Sequence, residues 1–271
     1  VEYGSLVDTM RQSLNAQALI PKTARAPRLL HWMVAKPWRI TLGNKALKLA
    51  QTTGLLRLSF AKGLLQRQRL WDDACGLPTL AWSNPLKPYY PSTAQTQQGE
   101  VALFTGCLAR SVDWQSLQDS ITVLNALGFG VHIPTQQGCC GAMAAHAGEN
   151  TQAFTQRNQS AFAAYTHIPL LFTATGCGTQ LIEAQQHPNT QEICAFLAQQ
   201  ALHTLKLRPL AQQVLVQIPC SHYNVLKNHR AIEACLSTIP ELTLQTLKHT
   251  DCCGAAGAYH LQAGQHAQAK Q

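Results

Sequence analysis

The sequence predicts an α/β protein: a basic helical N-terminal region, then two repeated βα units, the second of them truncated. Three observations carry that expectation. After residue 98, short apolar runs alternate with helix-length amphipathic stretches. Seven of the ten cysteines fall into two sets that share one register. A shift of 113 residues carries Cys107 onto Cys220, Cys139 onto Cys252, Cys140 onto Cys253 and Gly141 onto Gly254. A shared register over four residues points to a duplicated unit with one site per copy. The same shift carries Cys177 past Gln271, so the second copy is expected to be cut short. Finally, twelve Lys or Arg and no acidic residue lie between Asp8 and Asp72.

Residues 1–98 are expected to form a helical basic region and a linker. Leu6, Val7, Met10 and Leu14 share a helical face. Leu29, Leu30, Trp32, Met33 and Trp38, then Leu47 to Leu65, continue an apolar stripe among basic residues. Such a stripe can pack on the body of the protein or lie on a membrane, and one face could serve each purpose. Pro78, Pro85, Pro88 and Pro91 make residues 71–99 extended. The first unit, residues 99–205, begins with a buried strand at Val101–Phe104 that runs into Cys107. Asp113 can cap a helix reaching Leu127 and stopping at Gly128. Val131–Ile133 is a second strand, leading to Gly138, Cys139, Cys140 and Gly141. A helix from about Glu149 to Tyr165, a strand at Leu170–Thr173 before Cys177, and a helix from Gln191 to Leu205 complete the unit. The second unit, residues 206–271, repeats the plan with Val214–Ile218, a helix over 230–237, and Leu242–Leu244. Strand–loop–helix repeats of this length imply Rossmann-like parallel sheets with crossover helices. Ligands then sit beyond the carboxyl ends of the strands, where the cysteines of each copy should converge.

Composition excludes several classes. Hydrophobic residues make up 46% of 271, enough for a core without disulfide staples. No secretory signal is visible, and the start without Met suggests a chain shortened at that end too. No apolar run is long enough to span a membrane. The net charge of +8, concentrated before residue 70, favours acidic partners such as anionic lipid or an acidic subunit over nucleic acid. Glu149 and Asp251 are too few for a paired acid/base site, and no phosphate loop or nucleophile triad is present. No catalytic residue is assigned, and no small-molecule substrate is expected to bind the chain directly.

Four thiolates converging from three loops suit a soft metal, with zinc and iron–sulfur clusters as the candidates. Adjacent cysteines fit one tetrahedral ion poorly but fit a polynuclear cluster, and a short zinc knuckle is absent. Gly138, Gly141, Gly176 and Gly254 are expected to allow close backbone approach to such a group. Cys75, Cys194 and Cys235 have no counterpart in the repeat and read as small buried hydrophobes. His146, His222, His249 and His260 read as surface residues or as neighbours of the ligands.

The segments Phe104-Thr105-Gly106-Cys107, Gly138-Cys139-Cys140-Gly141, Thr175-Gly176-Cys177, Ile218-Pro219-Cys220 and Cys252-Cys253-Gly254-Ala255-Ala256-Gly257 resemble the cysteine-rich CCG domain family. That family includes heterodisulfide reductase B-type subunits and the iron–sulfur subunits of glycolate, lactate and glycerol-3-phosphate dehydrogenases. The glycolate oxidase iron–sulfur subunits are the nearest likeness, over essentially the whole chain. The resemblance implies an electron-transfer subunit of an oxidoreductase complex, not catalytic by itself. Electrons would pass from a flavoprotein that oxidises a 2-hydroxy acid toward membrane quinone. It implies a 4Fe-4S cluster on Cys107, Cys139, Cys140 and Cys177, and an incomplete site on Cys220, Cys252 and Cys253. It implies a place on the cytoplasmic face of the inner membrane, with peripheral contact through residues 11–69. Ala174 stands where the family often has the first cysteine of a C-x-x-C pair, which argues against five-cysteine ligation. Thiol–disulfide catalysis of the heterodisulfide reductase type and a zinc-stabilised interaction module are the alternatives.

Overall fold

Val101, Ala102 and Leu103 are completely buried in consecutive positions, which places their strand at the centre of a sheet covered on both faces. The computed structural model describes residues 3–19, 32–33, 36–55, 63 and 85–247. Two N-terminal helices are described, α1 (Tyr3–Ala16) and α2 (Pro37–Thr53). Proline at the first position suits the start of α2, and Gly54 ends it in the left-handed conformation. Ile40 of α2 reaches the core, whereas Trp38, Leu42 and Leu49 are exposed. Leu6 and Met10 of α1 also face outward, while Asn15 Nδ2 donates to the Gly148 carbonyl at 3.0 Å. One side of this region therefore packs on the body and another presents apolar surface. Arg39 stacks over Trp32 at 4.3 Å and donates to its carbonyl.

The first sheet begins with β1 (Tyr89–Tyr90) and β2 (Gly99–Phe104). A short helix α3 (Ala109–Val112) and α4 (Trp114–Ala126) follow. Leu117, Ile121 and Leu124 recur at helical spacing and bury one face of α4. The Asp113 carboxylate does not bond a backbone N–H as a cap; it accepts the Ser116 hydroxyl at 2.6 Å. Gly128 adopts φ +98°, where a Cβ would also strike the Thr96 carbonyl at 2.6 Å, so α4 stops there. Next come β3 (Phe129–His132), α5 (Ala142–His146), α6 (Gln152–Phe162), β4 (Leu170–Phe172), α7 (Thr175–Glu183), β5 (Thr190–Glu192) and α8 (Ile193–Leu197). The strand order is β1-β3-β2-β4-β5, with β1 antiparallel to β3 and the other pairs parallel.

Alternation along β2 divides the core. Val101 and Leu103 join Leu117, Ile121 and Leu124 of α4 and Phe196 of α8 on one face. Ala102 and Phe104 join Phe162, Leu181, Cys139 and Cys140 on the other. Each fully buried Leu or Phe contributes about 1.5–3 kcal/mol of transfer free energy.

Besides the short elements β1, α3 and α5, which the sequence did not lead one to expect, two longer stretches differ from the sequence expectation. No single helix spans Gln191 to Leu205: Gln191 and Glu192 instead pair with Leu171 and Phe172 as β5. Glu192 then caps α8 by accepting the Ala195 N–H at 2.9 Å. Helix α7 was not anticipated, because Gly176 and Gly178 lower its intrinsic propensity; burial of Leu181 and Gly178 holds it. The second unit contains β6 (Gln213–Val216), α9 (Cys220–Asn224), α10 (His229–Leu236) and β7 (Thr243–Thr246). β6 and β7 pair in parallel, Val214 opposite Leu244. Residues beyond 247, with Cys252, Cys253, Gly254, His249 and His260, lie outside the described residues, as does Cys75. Among the described residues, no helix is long and apolar enough to cross a membrane.

Candidate functional site

The chain leaves β2 toward β3 on one side and returns from β3 to β4 on the other, so the winding reverses beside β2. The crevice beyond the carboxyl ends of β2 and β4 is the place where such sheets bind ligands. Four thiols gather at this edge. Cys107 follows β2 after Thr105 and Gly106, Cys139 and Cys140 end the loop from β3, and Cys177 lies in the first turn of α7 after β4. Cys107 Sγ and Cys139 Sγ are 3.7 Å apart. The Cys140 thiol interacts with those of Cys139 and Cys177. Cys139 and Cys140 are buried, and Cys107 and Cys177 partly so. Cys220 opens α9 beside α7. Its expected companions, Cys252 and Cys253, are outside the described residues.

Hydrogen bonding to Cys139, burial and the neighbouring thiols push the Cys107 thiol far above its ordinary pKa. Contacts with Cys139 and Cys177, then burial, push Cys140 up as well. The Cys107 and Cys140 thiols therefore resist ionisation, and a cationic group beside them is needed to hold both as thiolates. Backbone amides already point at the sulfurs: Gly141 N–H to Cys139 Sγ at 3.4 Å and Ala142 N–H to Cys140 Sγ at 3.5 Å. Arg110 brings positive charge to Cys107 while its guanidinium donates to Thr105 Oγ1 at 2.7 and 3.2 Å. Burial and the neighbouring Arg157 hold the Arg110 pKa below its usual value.

Among the described residues, no group of three or more His, Cys, Asp or Glu side chains is placed to hold a single metal ion. The soft thiol set, two of its members adjacent and served by amides, instead fits an iron–sulfur cluster, whose metal atoms are spread over a larger body. A Cβ on Gly176 would meet nothing within 4 Å, so the backbone beside Cys177 faces open space. The other two described glycines also serve packing. A Cβ on Gly138 would strike Arg157 Cδ at 2.9 Å, and one on Gly141 would press on Phe154 at 3.2 Å. Gly178 has the tightest approach, its Cβ position lying 1.9 Å from the Phe172 ring. Only glycine lets α7 pass over β4 and deliver Cys177.

The residues that hold the cysteine loops were missed by sequence reasoning. Gln137, with no exposed surface, accepts the Thr105 N–H at 2.8 Å and donates to the Leu103 carbonyl at 3.1 Å. It ties the loop bearing Cys139 to the strand end before Cys107. Asn158 of α6, also fully buried, accepts the Gly138 N–H at 2.9 Å and donates to the Cys139 carbonyl at 3.0 Å. It donates further to Gln186 Oε1 at 2.7 Å, and Gln186 Nε2 donates to the Cys140 carbonyl at 2.9 Å. Asn158 and Gln186 thus satisfy the buried carbonyls of the adjacent cysteines, while Gln137 serves the strand end before Cys107. Their only sequence signal is polarity at positions that tertiary packing encloses.

Among the histidines, His146 is partly exposed, 3.9 Å from Asp8. His222 is buried, its Nδ1 2.7 Å from Asn228 Oδ1. Ala174 is the exposed residue before α7. Cys194 and Cys235 are not isolated fillers: both are half-buried, and Cys235 Sγ lies 3.3 Å from the Cys194 carbonyl.

Residues 101–182 match the family of cysteine-rich (CCG) domains, and this stretch carries such a domain. The chain is similar to the "Probable glycolate oxidase iron-sulfur subunit" of Bacillus subtilis, 25% identical over 96% of this chain and 64% of that protein. It is 30% identical to a subunit of the anaerobic glycerol-3-phosphate dehydrogenase of Escherichia coli, over 69% of this chain and 52% of that one. A subunit of the fumarate reductase (CoM/CoB) of Methanothermobacter marburgensis is 27% identical over 63% of this chain and 36% of that protein. The chain thus spans less than two thirds of the length of these relatives. No solved structure matches it.

Proposed function

We propose that this chain is an iron–sulfur electron-transfer subunit of a flavin-linked 2-hydroxy-acid dehydrogenase complex, and that Cys107, Cys139, Cys140 and Cys177 hold a 4Fe-4S cluster. The observation that carries the proposal is the gathering of four thiols at the switch point of a parallel sheet, inside the stretch that matches the cysteine-rich family. A bound cluster supplies reversible one-electron transfer. The chain's own groups do the rest. The buried apolar face around Phe104, Phe162 and Phe172 excludes water from the sulfurs. The amides of Gly141 and Ala142, with the charge of Arg110, stabilise sulfur-borne negative charge.

The relatives' names support an oxidoreductase complex in which this subunit is not itself catalytic. A flavoprotein partner supplies the electrons in this reading, and glycolate is the first substrate to try. The outward apolar side chains Leu6, Met10, Trp38, Leu42 and Leu49, among the basic residues before residue 70, suit peripheral contact with an anionic membrane. In this reading the complex works on the cytoplasmic face of the inner membrane, next to the quinone that accepts the electrons. Cys220, Cys252 and Cys253 belong to a second site of the same kind in this reading.

The test is anaerobic reconstitution with iron and sulfide, followed by metal analysis and EPR, for the wild type and Cys140→Ser. Iron and sulfide near one cluster per chain, with a redox-active signal lost in the variant, are expected. Zinc as the bound metal, or no metal in a folded protein, overturns the proposal.

A further inference from the structure

Helix α8 follows the edge strand β5 of the first sheet, and α10 is the crossover between β6 and β7 of the second. The two helices pack together, and each carries one cysteine at the contact. Cys194 and Cys235, 41 residues apart in the chain, both pack against the core cluster of the first unit. Cys235 Sγ lies 3.3 Å from the Cys194 carbonyl, and the two thiols interact directly. Neither belongs to the repeated cysteine sets, so the cluster proposal does not use them. From this contact we infer that Cys194 and Cys235 form a reversible dithiol/disulfide pair that clasps the second unit onto the edge of the first.

The chemistry needs an oxidant, and a low-molecular-weight disulfide is sufficient. The Cys235 thiolate attacks one sulfur of that disulfide, giving a mixed disulfide and releasing one small thiol(ate). The Cys194 sulfur, after losing its proton, then attacks Cys235 Sγ and expels the second small thiol. Two protein thiols are oxidised to one disulfide, and one small disulfide is reduced to two thiols. The direction of attack has support in the pair's hydrogen bonding. Cys194 stabilises the Cys235 thiolate and lowers its pKa, whereas Cys194 itself is pushed up by its contact with Cys235, by burial and by the nearby Glu192 carboxylate. Both side chains are partly exposed, so a small disulfide can reach them. The product joins an α8 side chain to an α10 side chain and restrains the packing between the two sheets.

The experiment uses the full chain, equilibrated anaerobically in glutathione buffers of increasing oxidised fraction, then quenched by acid and alkylated. Cleavage after Lys, Arg and Glu leaves Cys194 alone in residues 193–206 and Cys235 alone in residues 234–241, so mass spectrometry identifies their linkage directly. The expected result is a linked pair of these two peptides, formed in a single two-electron transition. The oxidised wild type should also show a higher urea midpoint than the reduced protein. Cys235→Ser should show neither the linkage nor the shift. Two unlinked peptides at every redox ratio, or Cys235 bonded instead to one of the cluster cysteines, overturn the inference. Should the serine variant fail to fold, the peptide result on the wild type still decides. Iron content measured on the same samples keeps this outcome separate from that of the cluster proposal.

Discussion

Replacing Asn158 with alanine removes the hub of the amide network beneath Cys139 and Cys140. Three hydrogen bonds disappear: from the Gly138 N–H at 2.9 Å, to the Cys139 carbonyl at 3.0 Å and to Gln186 Oε1 at 2.7 Å. Each buried partner left unsatisfied costs about 1–3 kcal/mol. The three effects share one cavity and are not additive, and large single-site losses level off near ~4–5 kcal/mol. A loss of about 3–4 kcal/mol is therefore expected, with a fall in Tm on the order of 10 °C for a unit of this size. Urea unfolding followed by circular dichroism measures it, with the midpoint lowered and the slope unchanged. Gln159→Ala is the control, one position along the same helix and exposed, and should stay within about 0.5 kcal/mol of wild type. A loss below about 1 kcal/mol for Asn158→Ala would refute the reasoning, because water would then replace the amide at no cost.

Gly178→Ala should destabilise by about 3 kcal/mol or more, beyond ordinary overpacking, because the new methyl lies 1.9 Å from the Phe172 ring. Adding Phe172→Leu should recover part of the urea midpoint; no recovery would show that the clash is not with that ring. His187 is buried, and its Nε2 donates to the Tyr165 carbonyl while its Nδ1 accepts the Asn189 N–H, the pattern of a neutral ring. Burial holds its folded pKa below the ordinary value of about 6.5. The unfolded chain then binds the extra proton, so this contribution to stability is complete above the unfolded pKa and is lost as pH falls through the folded one. Melting at pH 7.5 and at pH 5.5 should show a smaller acid loss in His187→Gln than in wild type; equal losses would assign the pH dependence to other groups.

The sheet shows how far local pattern reaches. Continuous apolar runs such as Val101–Phe104 and Leu170–Phe172 can be satisfied only by burial on two faces, and that requirement alone dictates parallel strands covered by helices. The spacing of Leu117, Ile121 and Leu124 likewise specifies one face of α4. β5 escaped notice because Thr190–Glu192 is polar and three residues long; it is a strand only because the edge of β4 offers it hydrogen bonds. Helix α7 escaped because its glycines argue against a helix locally, while the close pass over Phe172 demands one of them.

The cysteine positions follow the same division. Their register and their place after the strands are properties of the sequence itself. The sequence alone determined that this is an α/β chain with a cysteine-rich edge, because burial and periodicity act between near neighbours. The tertiary structure decided that Asn158 and Gln186 anchor Cys139 and Cys140, and that Cys235 meets Cys194. These partners lie 19, 46 and 41 residues apart, and no periodicity links side chains that meet only after the sheets have packed.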